Sequence, residues 1–360
     1  MSYKYQNIFK WMGLSALIPL VKWIKKDDPK KNRTIVFKKL VVPIAFVFIF
    51  LGVCNFGAQY LYNIERDRKI QATRDSQGDE AALIMQKCID SGDKSCKPNS
   101  LPSPGDVWAG AKALMSDHKL ISDSKHEFKK KTAAINEKRL EQGKKPIKYT
   151  GRPSFVDQIF TSLKTVFAGF LLAAFLGIPA GIVLGLSETL RSSINWIIQI
   201  FKPVSPVVWL LLVSMVVKTI LANADMDKSF IISFISVGLC SMWATLVNTS
   251  MGVSSVDKDY LNVSKVLRLG IVSHVFKVVL PASVPLIFTG LRISLSVAWM
   301  VLIAIELLAQ SPGLGSFVWE EFQNGANDSN AKIIVAMFVI GGIGYALDRI
   351  MMTIQKLVSY

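Results

Sequence analysis

Apolar runs of roughly 20 residues recur along this chain and alternate with polar segments. A run of that length can cross the hydrocarbon core of a bilayer as a helix, and within lipid only a helix satisfies its own backbone hydrogen bonds. The pattern therefore predicts an all-α integral membrane protein with six transmembrane helices. The predicted apolar spans are residues 40–62, 155–186, a broken segment within 194–221, 230–251, 284–309 and 333–352.

The third of these segments is broken because its apolar residues are interrupted by Lys202, Pro203 and Pro206. Proline removes a backbone donor and ends or kinks a helix. We therefore expect a lateral segment up to Phe201, a break, and then a span to about Leu221.

A basic N-terminus precedes the first span. Lysine and arginine dominate residues 1–39, opposed only by Asp27 and Asp28. Within them, residues 8–24 are apolar but are interrupted by Lys10, Pro19 and Lys22. We favour an interfacial helix on the cytoplasmic leaflet for this stretch, with a signal peptide or a short extra span as alternatives.

The distribution of positive charge predicts the orientation. Basic residues before a span stay in the cytoplasm, so both termini and the polar 254–277 segment should be cytoplasmic, and the 63–157 region periplasmic. Residues 117–148 within that region have the composition of an exposed helix. The predicted organisation is a basic N-terminus (1–39), a first transmembrane helix (40–62), a periplasmic hydrophilic region and insert (63–157), a transmembrane core (158–352) and a cytoplasmic tail (353–360).

Composition changes this picture little. The formal net charge is +16, and 51% of the residues are hydrophobic. Strong basicity can indicate nucleic acid, but here the positive charge lies in the polar segments of a membrane protein, where it sets orientation and meets anionic headgroups. No nucleic-acid-binding motif accompanies it, so nucleic acid is not an expected partner.

Two of the four cysteines lie close together in the predicted periplasmic region. An oxidising compartment would permit Cys88 and Cys96 to form a disulfide, although two free thiols are the alternative. Cys54 and Cys240 are isolated in apolar spans and suit packing. The histidines are too distant from the cysteine pair to complete a zinc site, so we predict no metal.

Residues 259–308 contain a spaced pattern that resembles the cytoplasmic loop and following helix of binding-protein-dependent ABC importer permeases. The family pattern is E-A-A-x-x-x-G, followed by I-x-L-P. Here the frame falls on residues 262–264, Arg268, Val278 and Leu280-Pro281. Asn262 replaces the glutamate, Val263 and Ser264 replace the alanines, and Arg268 replaces the glycine.

These departures resemble one subfamily, the nitrate, cyanate and bicarbonate permeases, which are related to taurine and sulfonate permeases. The similar stretches are NVSKVLRL and PASVPLIFTGLRIS, FKPVSPVVWL, WATLVNTSMGV, PGLGSFVWEEF and ALDRIM, with LPSPGDVW near the start. The resemblance covers about 153–352 but neither the basic N-terminus nor the insert at roughly 110–150.

The resemblance implies a permease of the bacterial cytoplasmic (inner) membrane that pairs with a second permease subunit, most simply as a homodimer. It also implies two cytoplasmic ATPase subunits, a periplasmic or lipid-anchored substrate-binding protein, and a small anion as cargo, nitrate ahead of bicarbonate, cyanate and sulfonate. The loop that docks on the ATPase would comprise Asn262, Val263, Ser264, Val266, Leu267, Arg268, Leu280 and Pro281. The chain has no phosphate-binding loop of its own, so no bound cofactor and no enzymatic activity are expected, with ATP and Mg²⁺ held by the partner.

Arg292 and Glu306, two of the charged residues within the predicted spans, are candidates for the transport path. Arg292 would place a positive charge near the anion path. Alternatively, it is a structural arginine that bonds to loop carbonyls or extends its guanidinium group inward. Glu306 would gate the exit, pair with a cation or be solvated at the interface. Further candidates for the path, each equally suited to packing, are Ser205, Trp209, Trp243, Asn248, Thr249 and Trp299.

Two other functional classes remain open at this point. A secondary transporter driven by an ion gradient usually has intramembrane acids for coupling and inverted repeats. Here the spans contain few charges beyond Lys164, Arg292 and Glu306, and no inverted repeat is evident. A membrane enzyme is less favoured, because three histidines and scattered acids form no catalytic cluster.

Overall fold

The computed structural model describes residues 34–93, 96–98, 100–224, 226–325 and 328–358. The predicted interfacial helix at 8–24 lies outside these residues. Throughout the described ranges the regular structure is helical, without a strand, which confirms the all-α prediction. The α-helices are α1 (Val42–Gln77), α2 (Asp79–Asp90), α3 (Pro104–Glu141), α4 (Phe155–Leu186), α5 (Glu188–Phe201), α6 (Pro206–Ile220), α7 (Lys228–Ser254), α8 (Lys258–Val266), α9 (Ile271–His274), α10 (Leu280–Ala309), α11 (Leu314–Asn324) and α12 (Ser329–Val358).

Within the described residues, five helical segments are long and apolar enough to cross a membrane, and there is a sixth if one bent pair is a single span. The five are Thr34–Gln77, Phe155–Leu186, Lys228–Ser254, Ile271–Ala309 and Ser329–Val358. The bent pair consists of α5 and α6, whose axes meet at 96°. The break lies where Lys202, Pro203 and Pro206 predict it, because a proline can begin a helix but cannot continue one.

The chain divides into two compact units. The first contains the described residues of Met1–Gly110 together with Gly325–Ala331. A π-helical turn (Phe37–Val41) leads into α1, which continues to Gln77 rather than ending at the predicted residue 62. Residues 63–77 are polar but helix-compatible, and the helix ends only where Gly78 adopts a φ of 88°. The predicted membrane span ended at residue 62 because the next residues are polar, but the helix continues through them.

A disulfide joins the end of α2 to the loop that follows. Cys88 and Cys96 are bonded, with their Cα atoms 5.9 Å apart. The ammonium group of Lys69 on α1 donates to the carbonyl oxygen of Cys96 at 3.0 Å. The loop is therefore held to both α1 and α2.

Removing this bond with the change Cys88→Ser is expected to lower the free energy of unfolding of the first unit by roughly 2–3 kcal/mol, the loop-closure entropy of so short a loop. Thermal unfolding of the purified protein with and without reductant measures the effect. Cys54→Ser is the matched control, since Cys54 is a free thiol on α1. An equal response of both variants to reductant would contradict the prediction.

Two capping boxes fix the starts of α3 and α4. At α3, the backbone N–H and hydroxyl of Ser103 donate to the Asp106 carboxylate at 3.0 and 2.8 Å. Burial disfavours the Asp106 carboxylate, but hydrogen bonds from Lys97 and Ser103 outweigh this, so its pKa lies below the ordinary value. The cap places the exposed helix at 104–141, not at the predicted 117–148, and Gly143 with a φ of 68° follows its end.

The second unit contains Ala111–Asn324 and Lys332–Tyr360 as far as they are described. Its centre is the contact between α4 and α7, where a stripe of glycines allows the two helices to approach closely. A Cβ at Gly181 would lie 2.6 Å from the Thr249 Cβ and 2.8 Å from the Leu246 carbonyl oxygen. Gly177 and Gly185 meet Thr245 and Val253 in the same way. Small residues at this spacing let membrane helices pack backbone to backbone.

The polar stretch predicted for residues 310–330 contains a helix. Gln310 ends α10 in the left-handed conformation, with a φ of 50°, and α11 begins at Leu314. Leu314 and Phe317 are buried, and the Phe317 ring lies 4.8 Å from that of Phe155 on α4. The sequence pattern did not predict this helix, because its short apolar face is interspersed with polar residues.

Candidate functional site

Residues 258–279, here called the coupling segment, comprise α8, α9 and a π-helical turn (Val275–Val279) that continues into α10. Its apolar side chains face outward: Val266 is 81% exposed, Leu267 63% and Val263 56%. Ile271 and Phe276 are exposed as well. Apolar side chains that cluster on an exposed surface indicate a binding surface.

One hydrogen bond closes the coupling segment on itself. The hydroxyl of Ser264 on α8 lies 2.6 Å from Nδ1 of His274 on α9, and Ser264 is only 3% exposed. Ser264 therefore joins α8 to α9 within the segment, and its role as a docking residue stays a prediction. Asn262, by contrast, is exposed.

Arg268 occupies a backbone position suited to glycine. Its φ is 46°, in the left-handed region, where it ends α8 while the Leu269 N–H donates to the Ser264 carbonyl. The family pattern has its glycine at this position, so the structure gives a geometric reason for that glycine. From Ile271 the helical segment runs without a loop to Ala309, past Leu280 and Pro281. The end of the coupling segment and α10 thus form one continuous helical segment.

Arg292 forms a bidentate ion pair inside the second unit. Its Nε and Nη2 atoms donate to the two carboxylate oxygens of Asp348 on α12, at 2.6 and 2.9 Å. The pair borders a pocket of about 530 Å³. The other residues that line it are Thr289, Ile293, Ser296, Val297, Met300 and Gln355. Loop carbonyls were the predicted structural partners of Arg292, and Asp348 was not predicted, although a lone acid in the last span was a visible signal.

Glu306 is buried, with 1% of its surface exposed. Its carboxylate accepts hydrogen bonds from the Ser162 hydroxyl at 2.7 Å and from the Gly315 N–H at 2.9 Å. Ser162 in turn accepts from the Leu314 N–H at 2.9 Å. Two side chains from α4 and α10 therefore cap the first turn of α11. Glu306 is thus enclosed by three helices and not solvated, while its predicted role at the exit stays a prediction.

Three of the predicted path residues are also enclosed. Thr249 is 0% exposed, Trp299 5% and Trp243 9%. The indole N–H of Trp299 donates to the Ile340 carbonyl at 3.0 Å, which joins α10 to α12. These three side chains pack between helices in this conformation, and their place on a transport path stays a prediction.

Of the remaining path candidates, Ser205 and Trp209 lie together at the start of α6, where Trp209 packs in the same cluster as Trp243. Asn248 donates to the Ala244 carbonyl one turn back along α7. Ser205 caps the start of α6, and the half-buried Trp209 lies with its ring 6.1 Å from that of Phe201. Among the described residues, no three His, Cys, Asp or Glu side chains are grouped so that they could hold a metal ion. The site therefore reduces to Arg292 and its pocket, with the coupling segment at the start of the same helix.

Comparison with known proteins identifies the family of the chain. Residues 177–359 match the family described as "Binding-protein-dependent transport system inner membrane component". The chain is 36% identical over 202 residues to the nitrate import permease protein of Synechococcus elongatus, a match that covers 56% of this chain and 69% of that protein. It is 35% identical over 203 residues to the bicarbonate transport system permease protein of a Synechocystis strain, covering 56% and 68%. Among solved structures, an inward-facing MetNI methionine ABC transporter chain aligns with 16% identity and a TM-score of 0.49, over 57% of this chain and 96% of that one.

Proposed function

The chain belongs to the binding-protein-dependent transport inner-membrane components and is a multi-pass permease subunit of an ABC importer, and from this premise we propose that it conducts a small inorganic anion, nitrate or bicarbonate. Relatives named for these two anions are almost equally similar, at 36% and 35% identity. Nitrate is the first candidate to test, followed by bicarbonate, with cyanate and the sulfonates behind them.

The observation that carries the anion assignment is Arg292. A positive charge within a membrane-spanning helix costs free energy, so such a residue usually faces a transport path or pairs with another group. The Arg292 side chain is 38% exposed and borders a pocket that Asp348 also lines. The hydroxyls of Thr289 and Ser296 and the amide of Gln355 already donate within the chain. The guanidinium group is therefore the part of this lining that supports an oxyanion.

The proposal includes the partners that a permease subunit of this family requires. A second permease subunit would complete the path, and a substrate-binding protein would deliver cargo to the face that contains residues 63–157. Two ATPase subunits would bind the coupling segment, and this segment and both termini would then lie in the cytoplasm.

The exposed apolar residues of the coupling segment support the ATPase contact. Val263, Val266 and Leu267 are all more than half exposed in this chain. Their burial against a partner groove would stabilise the complex by about 0.8 kcal/mol per buried methylene. Because α9 continues into α10, a push on this surface moves the helix that contains Arg292.

Truncation with Val266→Ala and Leu267→Ala together is expected to lower ATP-driven uptake at least about tenfold, because several buried methylenes are lost from the contact. Uptake is measured in proteoliposomes that contain the purified permease, its ATPase and the binding protein. Lys265→Ala is the control, since it alters an exposed polar residue of the same helix. Uptake at the wild-type level by the double variant, with no cross-link from Asn262→Cys to the ATPase, would refute the docking surface.

The same proteoliposomes test the cargo and the mechanism. Labelled nitrate, bicarbonate and taurine are offered separately, with ATP inside the vesicles and then without it. ATP-dependent accumulation of nitrate or bicarbonate is the expected result. Accumulation driven by an ion gradient without ATP would favour a secondary transporter, and accumulation of taurine alone would exclude the inorganic-anion assignment.

A further inference from the structure

We propose that the Arg292 pocket is an anion-binding subsite that Asp348 occupies in the absence of cargo, so that the carboxylate and the transported anion compete for one guanidinium group. The inference rests on the proposed function for the identity of the anion. It goes further by assigning Asp348 the role of a built-in competitor that joins α10 to α12.

The geometry of the pair is that of a ligand in a binding site. Asp348 uses both of its oxygens, and Arg292 uses the edge formed by Nε and Nη2, at 2.6 and 2.9 Å. Nitrate and bicarbonate are planar oxyanions that can offer two adjacent oxygens to the same edge. Arginine recognises planar oxygen pairs in two parallel hydrogen bonds, whereas lysine acts as a point charge. An anion could therefore take the place of the carboxylate atom for atom.

The pair is also accessible to a competitor. The side chains of Arg292 and Asp348 are 38% and 30% exposed, and both border the pocket of about 530 Å³. A sealed pair would exchange with no ion, while a fully exposed pair would have no defined site. Polar neighbours are present on the same wall, where Gln355 donates to the Thr289 hydroxyl at 3.1 Å. The apolar side chains of Ile293, Val297 and Met300 complete the lining and limit hydration of a bound ion.

Competition has a consequence for the helices. The residues of the pair are separated by 56 positions and link α10, which follows the coupling segment, to α12. When an anion replaces the carboxylate, this link opens while the guanidinium stays neutralised. When the anion leaves, Asp348 returns and the link closes. Cargo occupancy and the α10–α12 connection are therefore reciprocal, as linked equilibria must be.

Asp348→Asn tests this directly, because it removes the competing charge while it preserves the shape of the side chain. If Asp348 occupies the Arg292 guanidinium group about nine-tenths of the time in the wild type, removing this competitor should lower the apparent Kd for nitrate roughly tenfold. The measurement is the nitrate-dependent rise in unfolding temperature of the purified permease–ATPase complex, at constant ionic strength with chloride as the balancing anion, because chloride cannot offer two adjacent oxygens. Arg292→Gln should abolish the nitrate-dependent rise altogether.

Glu321→Gln is the matched control, because Glu321 on α11 lies 3.5 Å from Lys332 on α12 and also pairs charges between two helices. It should leave the nitrate affinity unchanged. Equal nitrate affinity in the wild type and Asp348→Asn, or equal gains in Asp348→Asn and Glu321→Gln, would overturn the proposal.

A second measurement uses the wild-type protein, so that it does not depend on the folding of a variant. Nitrate should slow modification of Arg292 by phenylglyoxal, measured by mass spectrometry, and chloride should not. Equal rates in the two salts would overturn the proposal. Because neither binding experiment requires transport, nitrate binding that follows the expected pattern without ATP-driven uptake would preserve the subsite and reject the proposed cargo function. Uptake without that pattern would do the reverse.

Discussion

Replacement of Gly181 with leucine is expected to prevent α4 and α7 from packing, and to lower the free energy of unfolding by more than about 3 kcal/mol, the upper end of the usual cost of overpacking. Even a Cβ at this position would lie 2.8 Å from the Leu246 carbonyl oxygen. Backbone cannot move aside as the end of a flexible side chain can, so the two helices must separate. The loss should appear as a lower unfolding temperature and a lower yield of monodisperse protein in detergent.

Gly57→Leu provides the matched control for this change. It makes the same substitution within α1, where nothing lies within 4 Å of an added Cβ. Leucine also favours helix by about 1 kcal/mol relative to glycine, so the control should be neutral or slightly stabilising. Similar unfolding temperatures for the two leucine variants would show that the α4–α7 contact is looser than its distances indicate.

The second large effect is expected at Glu306. The change Glu306→Ala removes the acceptor of the Gly315 N–H and of the Ser162 hydroxyl, and it leaves a space that α11 must fill. One buried unsatisfied group costs about 1–3 kcal/mol, and truncation of a large buried side chain adds a cavity. We therefore expect a loss of about 2–5 kcal/mol in the stability of the α11 connection. Hydrogen exchange of the α11 amides reports the loss locally.

A double-mutant cycle with Ser162→Ala identifies the shared cap. Both residues bind the first turn of α11, so their effects should be less than additive, with a coupling of at least about 0.5 kcal/mol. Glu320→Ala is the control, because Glu320 is exposed on α11 itself. Strict additivity of the two changes, with no faster exchange at Leu314 and Gly315, would contradict the role of Glu306 as a cap.

Local signals along the chain predicted much of the fold. The start of α4 at Phe155 follows from the capping box of Ser154 and Asp157, and its end at Leu186 from the polar turn that begins at Ser187. The break before α6 follows from closely spaced prolines. These features depend on residues within one turn of each other, so a sequence displays them fully.

The parts that escaped prediction depend on contacts between distant segments. Glu306 meets Ser162 across 144 positions, and Arg292 meets Asp348 across 56. A lone charge in an apolar span indicates that a partner is needed, but not which helix provides it. The need for glycine before α11 could not be predicted for the same reason. A Cβ at Gly313 would overlap the Glu306 carboxylate, and this contact exists only once α10 and α11 are packed.

The length of α1 has a geometric consequence for whatever is attached to its end. Its 36 residues measure about 54 Å, whereas the hydrocarbon core of a bilayer is about 30 Å thick. About 24 Å of uninterrupted helix must therefore extend beyond the hydrocarbon core, a rod without a hinge until Gly78. Deletion of one residue from this rod would rotate α2 and its disulfide loop by about 100° around the axis, whereas deletion of seven would lower them by about 10 Å and nearly restore their facing. The length of α1 therefore sets both the distance of α2 and its disulfide loop from the membrane and the direction in which they face. The number of residues removed varies these two quantities separately.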